Sequence, residues 1–229
     1  MRAGGAAAAG ESPPDGAKRS YTGSREQRCP DYQCDWRRAA TRPNQQEIMK
    51  VRFATVWFGG CSGCHMSFLD LDEFLIELVD LVDIVYSPVV DIKEYPENVD
   101  VCLIEGAICN EDNLELLHKI RQHTKVLVSF GDCAVTANVP AIRNQLGLGN
   151  AESVLQRAYI DSAQDNPRLP QADGIVPRLL ERVMPVHEVV YVEHFLPGCP
   201  PPAAHIKALV TQLLSDVEVK LEGVQLKFG

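Results

Sequence analysis

The sequence predicts an α/β fold in which helices cover both faces of a parallel sheet. From Lys50 onward, short runs of β-branched and aromatic residues alternate with longer segments whose apolar residues recur at helical spacing. The first of these runs ends in a glycine-rich turn that leads directly into a helical segment. Among folds of this class, we expect the flavodoxin-like arrangement.

The elements follow one another in a regular order. The first strand is predicted at Val51–Phe58, and after the turn Gly59–Cys64 a single helix is expected at Ser67–Leu81. The remaining predicted elements are strands at Asp83–Ser87, Val99–Glu105, Lys125–Phe130 and Glu188–Val192, and helices at Asp112–His123, Ile175–Val183 and Pro202–Leu214.

The N-terminal region differs in composition from the rest of the chain. Residues 1–48 are rich in Gly, Ala, Pro, Arg and Gln and show no apolar periodicity, so we expect a disordered extension. Residues 49–229 are then one flavodoxin-like domain, and Met49, directly before the first strand, is a candidate start. Cys29 and Cys34 lie in the extension and are interpreted as incidental thiols.

Charge and composition exclude several classes of function. The net charge is −9, and the 179 residues after position 50 carry 25 acidic and 13 basic side chains, which would repel a phosphate backbone. We therefore expect no nucleic-acid partner. No apolar run approaches the roughly 18 residues needed to span a bilayer. Eight cysteines in 229 residues are too few for a disulfide scaffold, which favours a cytoplasmic protein with metal-binding or redox thiols.

Four cysteines follow strands of the predicted sheet. Cys61 and Cys64 come after the first strand, Cys133 after the fourth and Cys199 after the fifth. Because the carboxyl ends of parallel strands meet at one edge, these four thiols are expected to converge there. Cys102 lies inside the third strand instead, where core packing is expected.

Four convergent thiols are the ligand set of a cubane iron–sulfur cluster, which takes one thiolate per iron. The glycines around Cys61 and Cys64 would let backbone N–H groups approach the sulfur atoms. From spacing alone, a structural zinc site and a dithiol redox pair remain as alternatives, although zinc sites usually use two close C-x-x-C knuckles.

Other polar residues are expected near this edge. Glu105 ends the third strand and could relay protons, orient a loop or be solvated, and Cys109 is a possible bystander thiol. Asp132 beside Cys133 is interpreted as a turn cap, and His65 as a surface residue at a helix start. No Walker motif or G-x-G-x-x-G is present, so no nucleotide site is expected in this chain.

Four motifs, three of which contain the cysteines, together resemble the small subunit of nickel–iron hydrogenases, whose pattern is C-x-G-C, E-G, G-x-C and G-C-P. The matching residues are Cys61-Ser62-Gly63-Cys64, Glu105-Gly106, Gly131-Asp132-Cys133 and Gly198-Cys199-Pro200, and the likeness extends over about Lys50 to Gly229. Within that family, Phe53–Trp57, Cys64–Asp70 and Ser129–Ala134 are most similar to the cytoplasmic bidirectional, NAD-linked group.

The resemblance implies a cofactor and partners. In the family, a proximal [4Fe–4S] cluster is bound at the positions of Cys61, Cys64, Cys133 and Cys199. The nickel–iron centre lies in a separate large subunit, and further clusters, FMN and the NAD site lie in diaphorase subunits. This chain would then carry electrons in the reaction of H₂ with NAD⁺ and hold no catalytic residue of its own, with Glu105 in a possible proton or structural role.

Departures from the family pattern refine this hypothesis. No cysteine follows Cys199, so a single cluster is expected. Met66 stands where other small subunits have a glutamate, and Gly63 stands where oxygen-tolerant forms have an extra cysteine. The related complex I subunit begins its motif with adjacent cysteines, and a complex I-like cluster subunit feeding a quinone is the main alternative. A zinc-stabilised interaction module and a flavodoxin-like FMN carrier are the others.

Overall fold

The computed structural model describes residues 50–215 and 218–228. Its strands are β1 (Val51–Trp57), β2 (Val82–Tyr86), β3 (Val99–Glu105), β4 (Ile108–Asn110), β5 (Thr124–Phe130), β6 (Leu179–Met184) and β7 (His194–Leu196). Its α-helices are α1 (Gly63–Leu69), α2 (Phe74–Leu81), α3 (Glu111–His123), α4 (Asp132–Thr136), α5 (Asn150–Gln156) and α6 (Ala203–Leu213). Short 3₁₀ segments occur at Val139–Leu146, Val186–Glu188 and Gly223–Leu226, and a π-helical turn at Arg157–Asp161.

Five strands form one sheet in the spatial order β2–β1–β3–β5–β7, and all neighbours pair in parallel. Counting only these strands, the order is 2-1-3-4-5, which is the flavodoxin-like order. The predicted fold class is therefore confirmed. The order also explains why loops after β1, β3, β5 and β7 are neighbours, since these four strands are adjacent in the sheet.

Each face of the sheet has its own apolar core. Successive strand residues point to opposite faces, so Phe53 and Leu103 belong to one core and Ala54 and Cys102 to the other. Helices α1, α2 and α6 cover the first face, and α3 with the 186–192 segment covers the second. Two covered faces are typical of a parallel sheet.

The expected single helix at Ser67–Leu81 is wrong, because the structure contains two helices there. α1 ends at Leu69 and α2 begins at Phe74. Between them Asp72 adopts a left-handed conformation with φ of 49°. An α-helix cannot continue through such a residue, and Asp tolerates this conformation better than most side chains do.

The helix predicted at Ile175–Val183 is also wrong. Residues Leu179–Met184 form β6, which pairs antiparallel with β4 in a separate two-stranded sheet. The Arg143 guanidinium donates to Cys109 O (3.2 Å) of β4 and also contacts Leu180 O of β6, so one cation bonds both strands. Because these contacts come from residues distant in the chain, the short apolar run at Leu179–Met184 could not by itself be recognised as a strand.

The fifth strand of the main sheet lies later than predicted. Val190 and Val192 are buried, yet their segment is a 3₁₀ turn and coil, and the strand is His194–Leu196. The Glu193 carboxylate accepts the Leu127 N–H at 2.7 Å, where a strand carbonyl would otherwise pair. The predicted strand at Glu188–Val192 was therefore wrong in position, while Cys199 still follows the last strand of the sheet.

The other predicted elements agree with the structure within two residues, whereas β4, α4 and α5 were not predicted. At the start of α3, the Asn110 side chain accepts the Asn113 N–H at 2.8 Å, and the acidic residues Glu111 and Asp112 occupy the first turn. The cap bond and the acidic first turn both stabilise the N-terminus of the helix. The predicted extension 1–48, with Cys29 and Cys34, and the candidate start Met49 lie outside the described residues. In residues 50–215 and 218–228, no helix has the length and apolar composition needed to cross a bilayer.

Candidate functional site

The four sequence-predicted cysteines meet at the carboxyl edge of the parallel sheet. Cys61, Cys64, Cys133 and Cys199 line one cavity of about 60 Å³, together with Glu105 and four other residues. Cys64 is buried, Cys133 is half-buried, and Cys61 and Cys199 are exposed. The arrangement is a thiol-lined cavity with one side towards the interior and one side towards the surface.

The first two thiols lie where β1 leads into α1. Ser62 has a left-handed φ of 64°, which turns the chain between Cys61 and the helix. The Gly63 N–H donates to Cys61 Sγ at 3.4 Å. The expectation that this turn directs backbone N–H groups at sulfur is therefore confirmed at Cys61.

Glu105 holds this turn from β3. Its carboxylate accepts the Cys64 N–H at 3.4 Å and the His65 N–H at 3.0 Å, and it contacts His65 Nδ1. Glu105 is only 2% exposed, so of the roles considered from sequence, solvation is wrong, and its bonds to the turn are consistent with orienting a loop. His65 is likewise a partner of Glu105 rather than a free surface histidine.

The other two thiols lie in the segments that follow β5 and β7, which are bonded to each other. The Gly198 N–H donates to Asp132 Oδ1 at 2.6 Å, and the Asp132 N–H donates to Gly198 O at 2.9 Å. Asp132 is buried, directly precedes Cys133, and reaches the residue before Cys199. From the sequence, Asp132 was interpreted as a turn cap, and its bonds to Gly198 were missed. Its place beside a cysteine at a helix start was the available signal.

Two contacts connect the halves of the site. Gly131 has a φ of +83°, and a Cβ at this position would overlap Cys64 Sγ, so glycine leaves the space in which that sulfur lies. The Ser67 hydroxyl of α1 donates to Pro201 O at 2.5 Å, beside the Cys199 loop. Ser67 is buried and carried no recognisable signal in the sequence.

Burial and mutual repulsion disfavour the thiolate forms of these cysteines. Desolvation raises the pKa of Cys64 far above its usual range, and the negative charges of Glu105 and the other three cysteines raise it further. Desolvation also raises the pKa of Cys133 to about 11, although an N–H from Val139 partly opposes it. Cationic charge bound in the cavity would relieve this repulsion.

The remaining cysteines stand apart from the quartet. Cys102 is fully buried in the core, as predicted, and its pKa is raised to about 12 by desolvation. Cys109 packs its sulfur against Gly59, where a Cβ would overlap it. Within residues 50–215 and 218–228, no group of three or more Cys, His, Asp or Glu side chains is spaced to hold a single metal ion.

Met66, which stands where other small subunits have a glutamate, is exposed.

The donor set fits an iron–sulfur cluster. Four thiols face one cavity, and a cluster takes one thiolate on each of four irons rather than four on one ion. Gly131 keeps the space beside Cys64 free of a side chain. The cluster would be held by Cys61 in the β1–α1 turn, Cys64 in α1, Cys133 in α4 and Cys199 in the β7–α6 loop, all on the same sheet edge.

Comparison with known proteins identifies the family. Residues 61–213 match the family model described as NADH ubiquinone oxidoreductase, 20 Kd subunit. This range contains all four cysteines of the site and more than half of the chain. The chain therefore belongs to this family.

Hydrogenase subunits are among its relatives. The chain is 38% identical to NAD-reducing hydrogenase HoxS subunit delta of Cupriavidus necator over 72% of this chain and 79% of the relative. It is 42% identical to a subunit of the vhu F420-non-reducing hydrogenase of Methanococcus voltae over 72% of this chain and 56% of the relative. The chain thus spans little more than half the length of that relative, and the same holds for the matching F420-non-reducing hydrogenase subunits of two Methanothermobacter species.

A solved structure is similar over almost its whole chain. A chain in the crystal structure of an NAD⁺-reducing [NiFe]-hydrogenase in the H₂-reduced state superposes with a TM-score of 0.72 and 39% sequence identity. The match covers 79% of this chain and 99% of that chain.

Proposed function

We propose that this member of the 20 Kd subunit family is the electron-transfer small subunit of an NAD-linked nickel–iron hydrogenase. In this proposal Cys61, Cys64, Cys133 and Cys199 bind one [4Fe–4S] cluster. The observation that carries it is the convergence of these four thiols, from segments that follow three different strands, on one cavity. The likeness to an NAD⁺-reducing [NiFe]-hydrogenase chain over 99% of its length supports the choice of complex.

The chain's own residues would bind and orient the cofactor. The four thiols would lose their protons on binding, because thiolates are the ligands of such clusters. Glu105 would hold the Cys61–Cys64 turn through two N–H groups, and Asp132 would hold the Cys133 and Cys199 loops together. When bound, the cluster supplies one-electron transfer. Exposure of Cys61 and Cys199 leaves that side of the cavity accessible to a partner.

The rest of the reaction belongs to partner subunits in this proposal. Hydrogen would be split at a nickel–iron centre in a large subunit, and NAD⁺ would be reduced in a diaphorase module with FMN and further clusters. The overall balance is H₂ + NAD⁺ giving NADH and H⁺, with two electrons passing this chain one at a time. We propose a cytoplasmic location for this complex and residues 49–229 as the iron–sulfur domain.

The test is anaerobic co-purification of the full chain with its large subunit and diaphorase subunits. We expect a brown complex with about four iron and four acid-labile sulfide per copy of this chain beyond the partners' own content, and H₂-dependent NAD⁺ reduction. A colourless chain with zinc, or a yellow flavin protein without iron, would contradict the proposal.

A complex I-like role is the second candidate, because the family description names an NADH–ubiquinone oxidoreductase subunit. The same preparation separates the two. Reduction of a soluble quinone by NADH, with no H₂ uptake, would favour the second candidate. Reduction of NAD⁺ by H₂ without added quinone favours the first.

A further inference from the structure

One edge of the parallel sheet exposes an apolar surface that no described residue covers. Among the described residues, strand β2 pairs only with β1 and is therefore an edge strand, and α2 packs beside it. We use "acidic edge" for residues 69–97, which comprise α2, β2 and the loop that follows. Seven large apolar side chains in this segment are exposed: Leu69, Ile76, Val79, Leu81, Ile84, Val89 and Ile92. Contiguous exposed apolar residues of this kind mark interaction surfaces.

This surface is concave. Leu69, Val79, Ile84 and Val89 line an apolar cavity of about 210 Å³ between the helices and the outer strands. Such a cavity has room for one large apolar side chain, and protein interfaces commonly concentrate their binding energy in pockets filled in this way. His65 also lines the cavity, so its wall is continuous with the cysteine site.

The rim of this surface is strongly acidic. Residues 70–97 contain nine Asp and Glu and a single basic residue, Lys93, and all nine carboxylates are exposed. Lys93 pairs with Asp91 at 3.5 Å. Three cations approach from neighbouring elements and contact carbonyl oxygens or a ring: Lys50 (Val79 O, 2.6 Å), Arg52 (Asn98 O, 3.0 Å) and Lys207 (Phe74 ring centre, 4.5 Å). The carboxylates outnumber all of these cations.

The charge restricts what can bind here. A second copy of this chain in a two-fold dimer would bring the same acidic surface against itself, and like charges in contact oppose association. Nucleic acid and anionic lipid surfaces would be repelled for the same reason. A protein whose contact surface is basic is favoured by both Coulomb attraction and steering.

We propose that the acidic edge binds a different protein chain whose contact surface has an apolar side chain for the cavity and Lys and Arg residues around it. The choice of candidate chains rests on the proposed function: they are the large subunit and the diaphorase subunits of the same complex. The contact would lie beside the Cys61–Cys64 turn, because His65, the residue after Cys64, is part of the cavity wall.

The test measures binding of the full-length chain to the large subunit and to the diaphorase subunits, each immobilised separately under anaerobic conditions. For one of the two probes, we expect Kd to rise about tenfold between 50 and 500 mM NaCl, since salt screens attraction between exposed charges. Glu77→Lys with Asp80→Lys should weaken that binding about tenfold at low salt and flatten its salt dependence. Val89→Asp, which places a charge at the cavity, should weaken it by a similar factor.

The matched control is Asp112→Lys with Glu115→Lys, the same spacing and charge change on the exposed face of α3. It should leave Kd within about twofold. The inference would be overturned if Kd for both probes changed neither with salt nor in any of the variants. A homodimer of this chain that dissociates on the substitution Val89→Asp would also overturn it. Iron content is measured on the same samples: salt-dependent binding by an iron-free chain would uphold this surface while contradicting the proposed function.

Discussion

Cys61 and Cys64 lie close together in the chain, with two residues between them, whereas Cys133 and Cys199 reach the same cavity from strands that are far apart in the chain. Both halves nevertheless use the same device, a buried carboxylate that accepts backbone N–H groups. Glu105 does this for the first pair and Asp132 for the second. The difference is that the first pair is also held by local geometry, while the second depends on tertiary hydrogen bonds.

The largest effect is expected from removing a thiol from the tertiary half. Cys133→Ala or Cys199→Ala should abolish the cluster, measured as iron and acid-labile sulfide per chain, because each iron of a cubane needs its own ligand. Cys102→Ala is the control: it should keep full iron content and lower the free energy of unfolding by about 1 kcal/mol, typical of a small core truncation. Loss of iron from Cys102→Ala alone would contradict the assignment of the four ligands.

The next largest effect is expected where the two halves touch. Gly131→Ala places a methyl group on Cys64 Sγ and strains a positive φ, so most of the cluster should be lost. Gly147→Ala is matched, since its φ is +76° but its added Cβ meets no atom within 4 Å. Gly147→Ala should cost about 2 kcal/mol of stability from backbone strain alone. Equal iron loss in both variants would show that strain, and not contact with Cys64, is responsible.

An intermediate effect is expected from Asp132. Asp132→Ala removes the acceptor of the Gly198 N–H and should lower the free energy of unfolding by about 2 kcal/mol, with faster loss of iron on warming. Asp132→Asn retains an acceptor oxygen and should restore much of the iron retention. The midpoint potential of the cluster in the Asn variant should be higher than in the unaltered chain, because the variant lacks a negative charge beside the cluster. An Asn variant as unstable as the Ala variant would contradict a role based on this bond.

The smallest effect is a pH dependence in the chain without iron. Because the pKa of Cys133 is raised to about 11, the folded state favours the protonated thiol. Alkylation of Cys133, followed by mass spectrometry, should therefore be slower at pH 8 in the folded chain than in urea, and the difference should disappear as the pH approaches 11. The preference of the folded state for the protonated Cys133 thiol stabilises the fold in full at pH values below the pKa of this thiol in the unfolded chain. This stabilisation decreases as the pH rises towards 11. Equal alkylation rates at pH 8 would contradict it.

The sequence predicted the sheet strands that read as continuous apolar runs. Val99–Glu105 was predicted with its observed bounds, and β5 within one residue, because strands covered on both faces have few polar positions. The prediction failed between the third and fourth cysteines. There β6 was taken for a helix and β7 was placed too early, since both are short strands whose pairing partners lie far away in the chain.

By itself, the sequence determined the fold class and the four thiols that meet at one edge. Each depends on residue type and order: parallel strands have their carboxyl ends on the same side, whatever the details of the loops. Only the tertiary structure decided how the thiols are held. The bonds of Asp132 to Gly198, Ser67 to Pro201 and Glu105 to the Cys64 turn join residues distant in the chain, and a single sequence carries no pattern for such pairs. The same reason applies to the acidic edge. In the sequence its apolar side chains look like core residues, and their exposure follows only from the sheet order, which places β2 at an edge.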